Sequence, residues 1–363
     1  MTLKGKGYFI WQIPNCEKGD ANAIATLAGQ ANLSHVLIKV ADTEFSYNIY
    51  NGVDVVPPLV QALHARKIEA WGWHYVKGDD PLPEADKAIE RVETLELDGY
   101  VIDAEAQYKE PGKAAAAKKF MSRLRAGLPD TPLALSSYRY PSYHPQLPWR
   151  EFLEKCDYNM PQVYWKHANN AGDQLIRSVR EFQAMTPNRP IVPTGAAFRE
   201  HNWQPTSSEV REFLQTAQSL NLTAANLYSW DSSRKHVPEA WNTVRDYPWS
   251  APAHPIDICG QYIAALNGRD PDLMLSLYSP SAVHVTAARS IQGHAALRAW
   301  YQELFERILP NGQFNLTGFT GSGNSRHFNW TARSNRGSVQ NGNDTFGLVD
   351  GKITYHFSFY SVT

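Results

Sequence analysis

The stretch Leu97-Asp98-Gly99-Tyr100-Val101-Ile102-Asp103-Ala104-Glu105 reads as an apolar strand ending in two carboxylates one residue apart. Side chains alternate faces along a strand, so Asp103 and Glu105 point the same way as Gly99 and Val101. At roughly 6–7 Å along the strand, each carboxylate perturbs the proton affinity of the other. Acid catalysis needs such a pair, with one group charged and the other keeping its proton near neutral pH. The same residues also suit a plain strand end, two solvated acids leading into the polar loop Gln107-Tyr108-Lys109-Glu110.

The chain around this strand repeats its pattern. Eight apolar, β-rich runs recur, at 7–13, 35–41, 68–76, 99–105, 132–140, 158–165, 190–197 and 224–230. Segments between them, such as 57–67, 83–96, 114–127, 173–185 and 207–220, carry apolar residues at helical spacing with charges opposite. Alternating strands and helices imply right-handed β-α-β units and a parallel sheet. Eight repeats in about 250 residues predict an α/β fold, a closed (β/α)₈ TIM barrel. Its active site lies at the carboxyl ends of the strands, and Asp103 and Glu105 fall there on the fourth.

At 363 residues the chain leaves room for a smaller second domain after such a barrel. A net charge of −1 and the lack of a basic run argue against nucleic acid or an anionic membrane as the main partner. No apolar stretch approaches the ~18 residues that span a bilayer. Residues 1–7 hold no apolar signal core, so the expected location is cytoplasmic, or exported with a signal already removed. Cys16, Cys156 and Cys259 are far apart without metal spacing and read as ordinary thiols; no metal or cofactor is expected.

Aromatic usage is the second signal. Eleven Trp and 18 Tyr are many, and several sit at strand carboxyl ends: Trp11, Trp71, Trp73, Tyr75, Tyr138, Tyr140, Tyr164, Trp165 and Trp230. Flat rings gathered at one mouth suit a ligand with apolar faces and hydroxyl edges, as sugars have. Trp71 and Tyr75 are expected to pack barrel against helices, whereas Trp11, Tyr164 and Trp230 are candidates for the mouth.

These residues resemble a known family. Asp98-Gly99-Tyr100-Val101-Ile102-Asp103-Ala104-Glu105 looks like the chitinase signature Asp-Gly-x-Asp-x-Asp-x-Glu of the fourth barrel strand. Tyr8-Phe9-Ile10-Trp11-Gln12-Ile13-Pro14-Asn15 is similar to the first-strand Tyr-Trp-Gly-Gln-Asn region of plant-type chitinases and lysozymes. Gln162-Val163-Tyr164 resembles their sixth-strand Gln-x-Tyr, and Leu227-Tyr228-Ser229-Trp230-Asp231 the eighth-strand segment ending in a Trp under the substrate. Over residues 1–249 the resemblance implies a glycoside hydrolase acting on N-acetylated β-glycans, chitin-like or peptidoglycan-like. Glu105 would protonate the departing glycosidic oxygen, and Asp103 would orient the substrate's own N-acetyl group for attack on the anomeric carbon. Tyr164 would hydrogen-bond the acetamido carbonyl, Gln162 would contact the same sugar, and Trp230 would floor the subsite. Trp11, Tyr138 and Asp231 would extend the binding surface for an oligosaccharide or polysaccharide.

One position departs from the pattern: the family's middle Asp is Val101 here. With no carboxylate beneath it, Asp103 is expected to titrate as a single acid unless another residue approaches, ionised against an apolar floor, with hydrolysis weak or altered. Lysozyme-type muramidases also carry an Asp-x-Glu pair without the third acid. They add an Asp on the first strand, where this chain has Phe9, Ile10 and Trp11.

The chain changes character at Asp246-Tyr247-Pro248-Trp249-Ser250-Ala251-Pro252-Ala253-His254-Pro255, a Pro-rich stretch that sets a linker at 250–255. Beyond it, helices are predicted over 256–266, up to 278 and over 293–308, and strands over 282–286, 314–319, 326–334, 345–349 and 353–360. Helices followed by a curved antiparallel sheet resemble the cone-shaped NTF2-like (SnoaL-type) fold, as do Asn267-Gly268-Arg269-Asp270 and Ile291-Gln292-Gly293-His294. The resemblance makes 256–363 an accessory binding module or the contact of a homodimer, with His284, Trp300, Trp330, His356 and Tyr360 lining a pocket. Isomerase-like chemistry there would need an Asp–His pair, which the sequence does not display. Two function classes follow: a glycosidase, or a non-catalytic sugar-binding barrel joined to a small-molecule-binding cone.

Overall fold

The computed structural model describes residues 3–249, 258–321 and 323–363. Chain contacts sort into two compact units, Met1–Gln218 with Leu222–Ala251 and Pro252–Thr363 with Ser219–Asn221. The linker expected at 250–255 lies outside the described residues.

In the first unit eight strands run parallel: β1 (Gly5–Ile10), β2 (Leu33–Asp42), β3 (Glu69–Val76), β4 (Gly99–Ala104), β5 (Leu133–Tyr138), β6 (Tyr158–Val163), β7 (Thr194–Ala196) and β8 (Ala224–Tyr228). Each pairs with its neighbours in chain order, and β1 pairs with both β2 and β8, so the sheet closes into a barrel. Helices connect successive strands, among them Pro81–Leu95 before β4 and Lys113–Gly127 after it. Their buried faces follow the spacing of their apolar residues, for example Ala85, Ala88, Val92 and Leu95.

Residues at alternate positions fill the barrel. Phe9, Leu37, Trp71, Trp73, Val101, Ala134, Tyr158, Met160 and Val192 form one apolar cluster. Gly99 has no side chain because a Cβ there would lie 2.5 Å from the Trp71 ring. Trp71 therefore fills the barrel's interior instead of packing against the helices, as the sequence had suggested. Tyr75 also departs from that expectation, because its hydroxyl donates to Gln107 Oε1 at 2.8 Å in the loop beyond β4.

Several strands are shorter than the apolar runs predict, and β7 and β8 show why. Pro190 and Pro193 offer no N–H to a ladder, so β7 is cut to Thr194–Ala196. After Tyr228 the backbone turns into the helix Trp230–His236, whose N-cap Ser229 accepts from the Ser232 amide.

Two histidines are buried in this unit. His35 meets Asn226 Oδ1 through Nε2 at 2.6 Å and Ser34 Oγ through Nδ1 at 2.9 Å. His74 is held by the Tyr100 hydroxyl and, at 2.6 Å, by the Thr43 carbonyl. Burial lowers both imidazoles to about 4. A depressed histidine favours the neutral form in the fold, so the unfolded chain binds the extra proton once pH drops below about 6.5. Stability from this source is complete above that pH and drains away towards pH 4. The two together should remove roughly 2–3 kcal/mol between pH 7 and pH 5.5. NMR titration checks the cause: both rings should remain neutral at pH 5, and a ring titrating near 6.5 would show that burial does not hold it.

The second unit has a six-stranded sheet formed by β9 (Tyr278–Thr286), β10 (Ser290–Gln292), β11 (Gln313–Thr320), β12 (Ser325–Ser334), β13 (Gly337–Val349) and β14 (Lys352–Phe359). The order is β10-β9-β14-β13-β12-β11, with β9 and β14 parallel and the other neighbours antiparallel. Helices Ile258–Gly268, Pro271–Ser276 and Gly293–Glu303 precede or interrupt the strands. The Asn267 side chain ties the first helix to β11, accepting from Phe314 N at 2.7 Å and donating to Phe314 O at 2.9 Å. Asp270 caps the second helix through the Asp272 amide. Strand β13 is far longer than the predicted 345–349, because its polar first half still pairs with β12.

Candidate active site

Strand β4 ends at Ala104, and Glu105 leaves extended geometry, with φ −131° and ψ −131°, to begin a 3-10 turn. The carboxylates therefore do not simply follow one another up a face. Both are half-buried at the carboxyl ends of the strands. On β6, Gln162 holds them together. Its Nε2 donates to Asp103 Oδ1 at 3.0 Å and to Glu105 Oε1 at 2.9 Å. The two carboxyl groups are close enough to interact directly, which favours the protonated form of Asp103.

Burial, followed by the negative charge of Glu105, pushes the Asp103 carboxyl well above the usual range, while nearby Lys39 acts in the opposite sense. The condition attached to the expectation from Val101 applies here: another residue, Glu105, approaches Asp103, and its charge adds to the effect of burial. Val101 is fully buried in the apolar layer below.

A chamber of about 130 Å³ surrounds the pair, lined by Phe9, Trp73, Asp103, Glu105, Ser136, Gln162, Tyr164, Thr194 and Tyr228. It shares Glu105, Gln162, Tyr164 and Tyr228 with an outer cleft of about 610 Å³. Trp11 and Asp231 line that cleft, with Trp11 43% exposed and thus free to meet a ligand. Burial raises the Asp231 carboxyl, which accepts from the Trp11 amide at 3.4 Å. Burial also raises the hydroxyls of Tyr164 and Tyr228, so both remain donors across the physiological range. A third hollow, of about 490 Å³, is lined by Gln12, Asn15, Tyr47 and Tyr50 and shares Asn15 with the outer cleft.

The structure thus brings together Asp103, Glu105, Gln162 and Tyr164, with Trp11 and Asp231 beside them. Tyr138 stands apart, stacked on His144 at 3.6 Å with the Lys109 ammonium 4.8 Å from its ring. Trp230 does not floor this site. It is fully buried against Trp241 at 4.5 Å and Tyr8 at 6.0 Å, because Ser229 turns the chain into a helix before it. Tyr228 takes the place by the carboxylates. Lys39 is a further residue that the strand pattern alone did not single out. Only 6% exposed, it pairs with Asp42 at 2.6 Å and lies 5.0 Å from the Trp73 ring. A lysine inside the apolar run 35–41 was the available signal.

In the second unit, Trp300 and Tyr360 line a pocket of about 420 Å³ with Thr286, Arg289, Glu303 and Ser358. His284, Trp330 and His356 are buried instead of lining it. His284 stacks on His356 at 4.1 Å, and neither of its ring nitrogens has a partner among the described residues. An Asp–His pair does exist, contrary to expectation: Asp344 Oδ2 meets His356 Nε2 at 2.8 Å. Trp330 Nε1 and Ser358 Oγ donate to Asp344 Oδ1 at 2.9 and 2.8 Å. From His356 Nδ1 the chain of contacts continues to the hydroxyls of Tyr278, Tyr301 and Tyr262.

A family model described as a SnoaL-like domain matches residues 260–356. The C-terminal unit is accordingly a SnoaL-like domain. An isomerase candidate of the SnoaL-like family from Agrobacterium tumefaciens is 25% identical, with a TM-score of 0.26, over 29% of this chain and 94% of that one. A ketosteroid isomerase candidate from Kribbella flavida is 19% identical, with a TM-score of 0.26, over 29% and 76%. An NTF2-like protein of unknown function from Cytophaga hutchinsonii is 12% identical, with a TM-score of 0.25, over 29% and 87%. No curated protein matches the chain.

Proposed function

We propose that the barrel is a retaining glycoside hydrolase for N-acetylated β-glycans. The observation that carries this reading is one amide, that of Gln162, holding two coupled carboxyl groups inside an aromatic chamber. Both carboxyl oxygens lie within 3.0 Å of Gln162 Nε2. They are therefore closer together than the ~6.5–9.5 Å that an inverting enzyme leaves for its water. The chamber, at about 130 Å³ against about 610 Å³ for the outer cleft, takes a substituent and leaves the sugar rings in the cleft. An acetamido group fits that description.

The roles follow. Glu105 borders both chamber and cleft and protonates the departing oxygen as the pair's proton moves onto it. Asp103, then ionised, steadies the acetamido nitrogen while the acetamido oxygen attacks the anomeric carbon from the opposite face. Tyr164 donates to that oxygen. Water then opens the cyclic intermediate, and Glu105 recovers its proton from that water. Because the sugar's own substituent is the nucleophile, the configuration is inverted twice and thus retained.

Product analysis by NMR on a panel of N-acetylglucosamine and muramyl oligosaccharides tests the reading. The β-anomer should appear first, and de-N-acetylated chains should resist cleavage. Release of the α-anomer, or cleavage indifferent to the N-acetyl group, would refute the mechanism, and inertness towards the whole panel would refute the activity.

A further inference from the structure

We infer that the glycan taken by the barrel carries a carboxylate near the scissile bond and that Arg199 and Lys235 recognise it. This deepens the hydrolase reading and rests on it. The outer cleft is lined by four basic side chains, Lys166, Arg199, Lys235 and His236, and by three acidic ones, Glu105, Glu200 and Asp231. The charges do not cancel pair by pair. Glu200 is taken up by Lys166 in an ion pair. Asp231 is buried and accepts the Trp11 amide, while Glu105 belongs to the pair held by Gln162.

Arg199 and Lys235, with the imidazole of His236, are left over. Arg199 Nε donates to the neutral Gln204 Oε1 at 2.8 Å, and its backbone amide is fixed by Ser232 Oγ at 3.2 Å. Neither Arg199 nor Lys235 has a carboxylate within ion-pair distance among the described residues, and both are exposed. The two cations stand on separate elements, Arg199 in the loop after β7 and Lys235 in the last turn of Trp230–His236. A neutral glycan can accept single hydrogen bonds from such a rim but offers it no counter-charge. A carboxylate supplies the missing counter-charge, and a guanidinium can take it through two parallel hydrogen bonds. The shared chemistry has two sources: an acid carried on an ether-linked substituent of an N-acetylated sugar, or a uronic acid in the chain.

The test uses the 363-residue chain with Glu105→Gln, in which slowed turnover should leave binding readable, and the same chain with Arg199→Ala and Lys235→Ala added. The ligands are an N-acetylated oligosaccharide with a lactyl carboxylate, one with a uronic acid, and the carboxamide twin of each. The carboxylate of the true source should bind about tenfold tighter than its amide twin, since exposed cations contribute modestly and roughly additively. That advantage should shrink with salt and vanish in the double substitution. Whichever acid shows it names the source. Equal affinity for acid and amide, an advantage that survives the double substitution, or no binding of any ligand overturns the inference. Turnover separates it from the hydrolase reading. Wild type cleaving the amide as fast as the acid sinks only the inference, while charge-selective binding without cleavage of any ligand sinks only the hydrolase.

Discussion

Replacing Glu105 with Gln should lower hydrolysis of an N-acetylated β-glycan by about 10²–10⁴-fold while leaving oligosaccharide affinity largely unchanged. The substitution keeps shape and the oxygen that accepts from Gln162 Nε2 at 2.9 Å, but removes the proton that the leaving group needs. Glu105 is only half-buried and borders the cleft, so the fold tolerates the change. A second readout separates lost chemistry from lost structure. The charge of Glu105 helps hold the Asp103 carboxyl up, so in the variant Asp103 should titrate lower, with burial alone still raising it. Turnover and a pH titration of binding check the two halves. Equal turnover in variant and wild type would move the chemistry away from this pair.

The sequence displayed the barrel because its strands are apolar runs spaced by amphipathic helices, a pattern that local composition carries. What it hid follows from chain direction and tertiary pairing. Trp230 shares strand parity with Tyr228, so continuing the strand aims both at the mouth. The chain instead enters a helix after Ser229, and Trp230 goes to Tyr8 and Trp241. The expectation from Val101 left room for another residue to approach Asp103, but the strand pattern did not say which or from where. The turn beginning at Glu105 and the Gln162 amide provide that approach from above. Asp344 was missed for another reason. Gln340-Asn341-Gly342-Asn343-Asp344 has the composition of a turn, yet it pairs with β12 through the middle of a strand. Ladder bonds and the face under Trp330 override the local preference.

Replacing Asp344 with Ala should cost the C-terminal domain about 3–5 kcal/mol, because the three buried groups on its carboxylate lose their partner at roughly 1–3 kcal/mol each. Asp344 and His356 are both fully buried, and three donors or ring nitrogens converge on the carboxylate within 2.9 Å. Alanine leaves the Trp330 and His356 nitrogens without partners and places a void between β13 and β14. Asp344→Asn is the informative comparison, since the side-chain oxygen that remains can still accept from Trp330 and Ser358. The new amide must then donate to His356 Nε2, which moves the imidazole proton to Nδ1 and turns that nitrogen into a donor towards the Tyr278 hydroxyl. The contacts on both sides of the ring survive that exchange, so Asp344→Asn should cost only about 1–2 kcal/mol. Hydrogen exchange of the amides in Gly337–Val349 and Lys352–Phe359 reads the domain without requiring the whole chain to unfold in one step. Protection should fall by several orders of magnitude in the Ala variant and by about tenfold in the Asn variant. Equal losses in the two would show that the negative charge, and not the hydrogen-bond geometry, holds the strands together. Intact protection in the Ala variant would mean that the buried network contributes nothing to the fold.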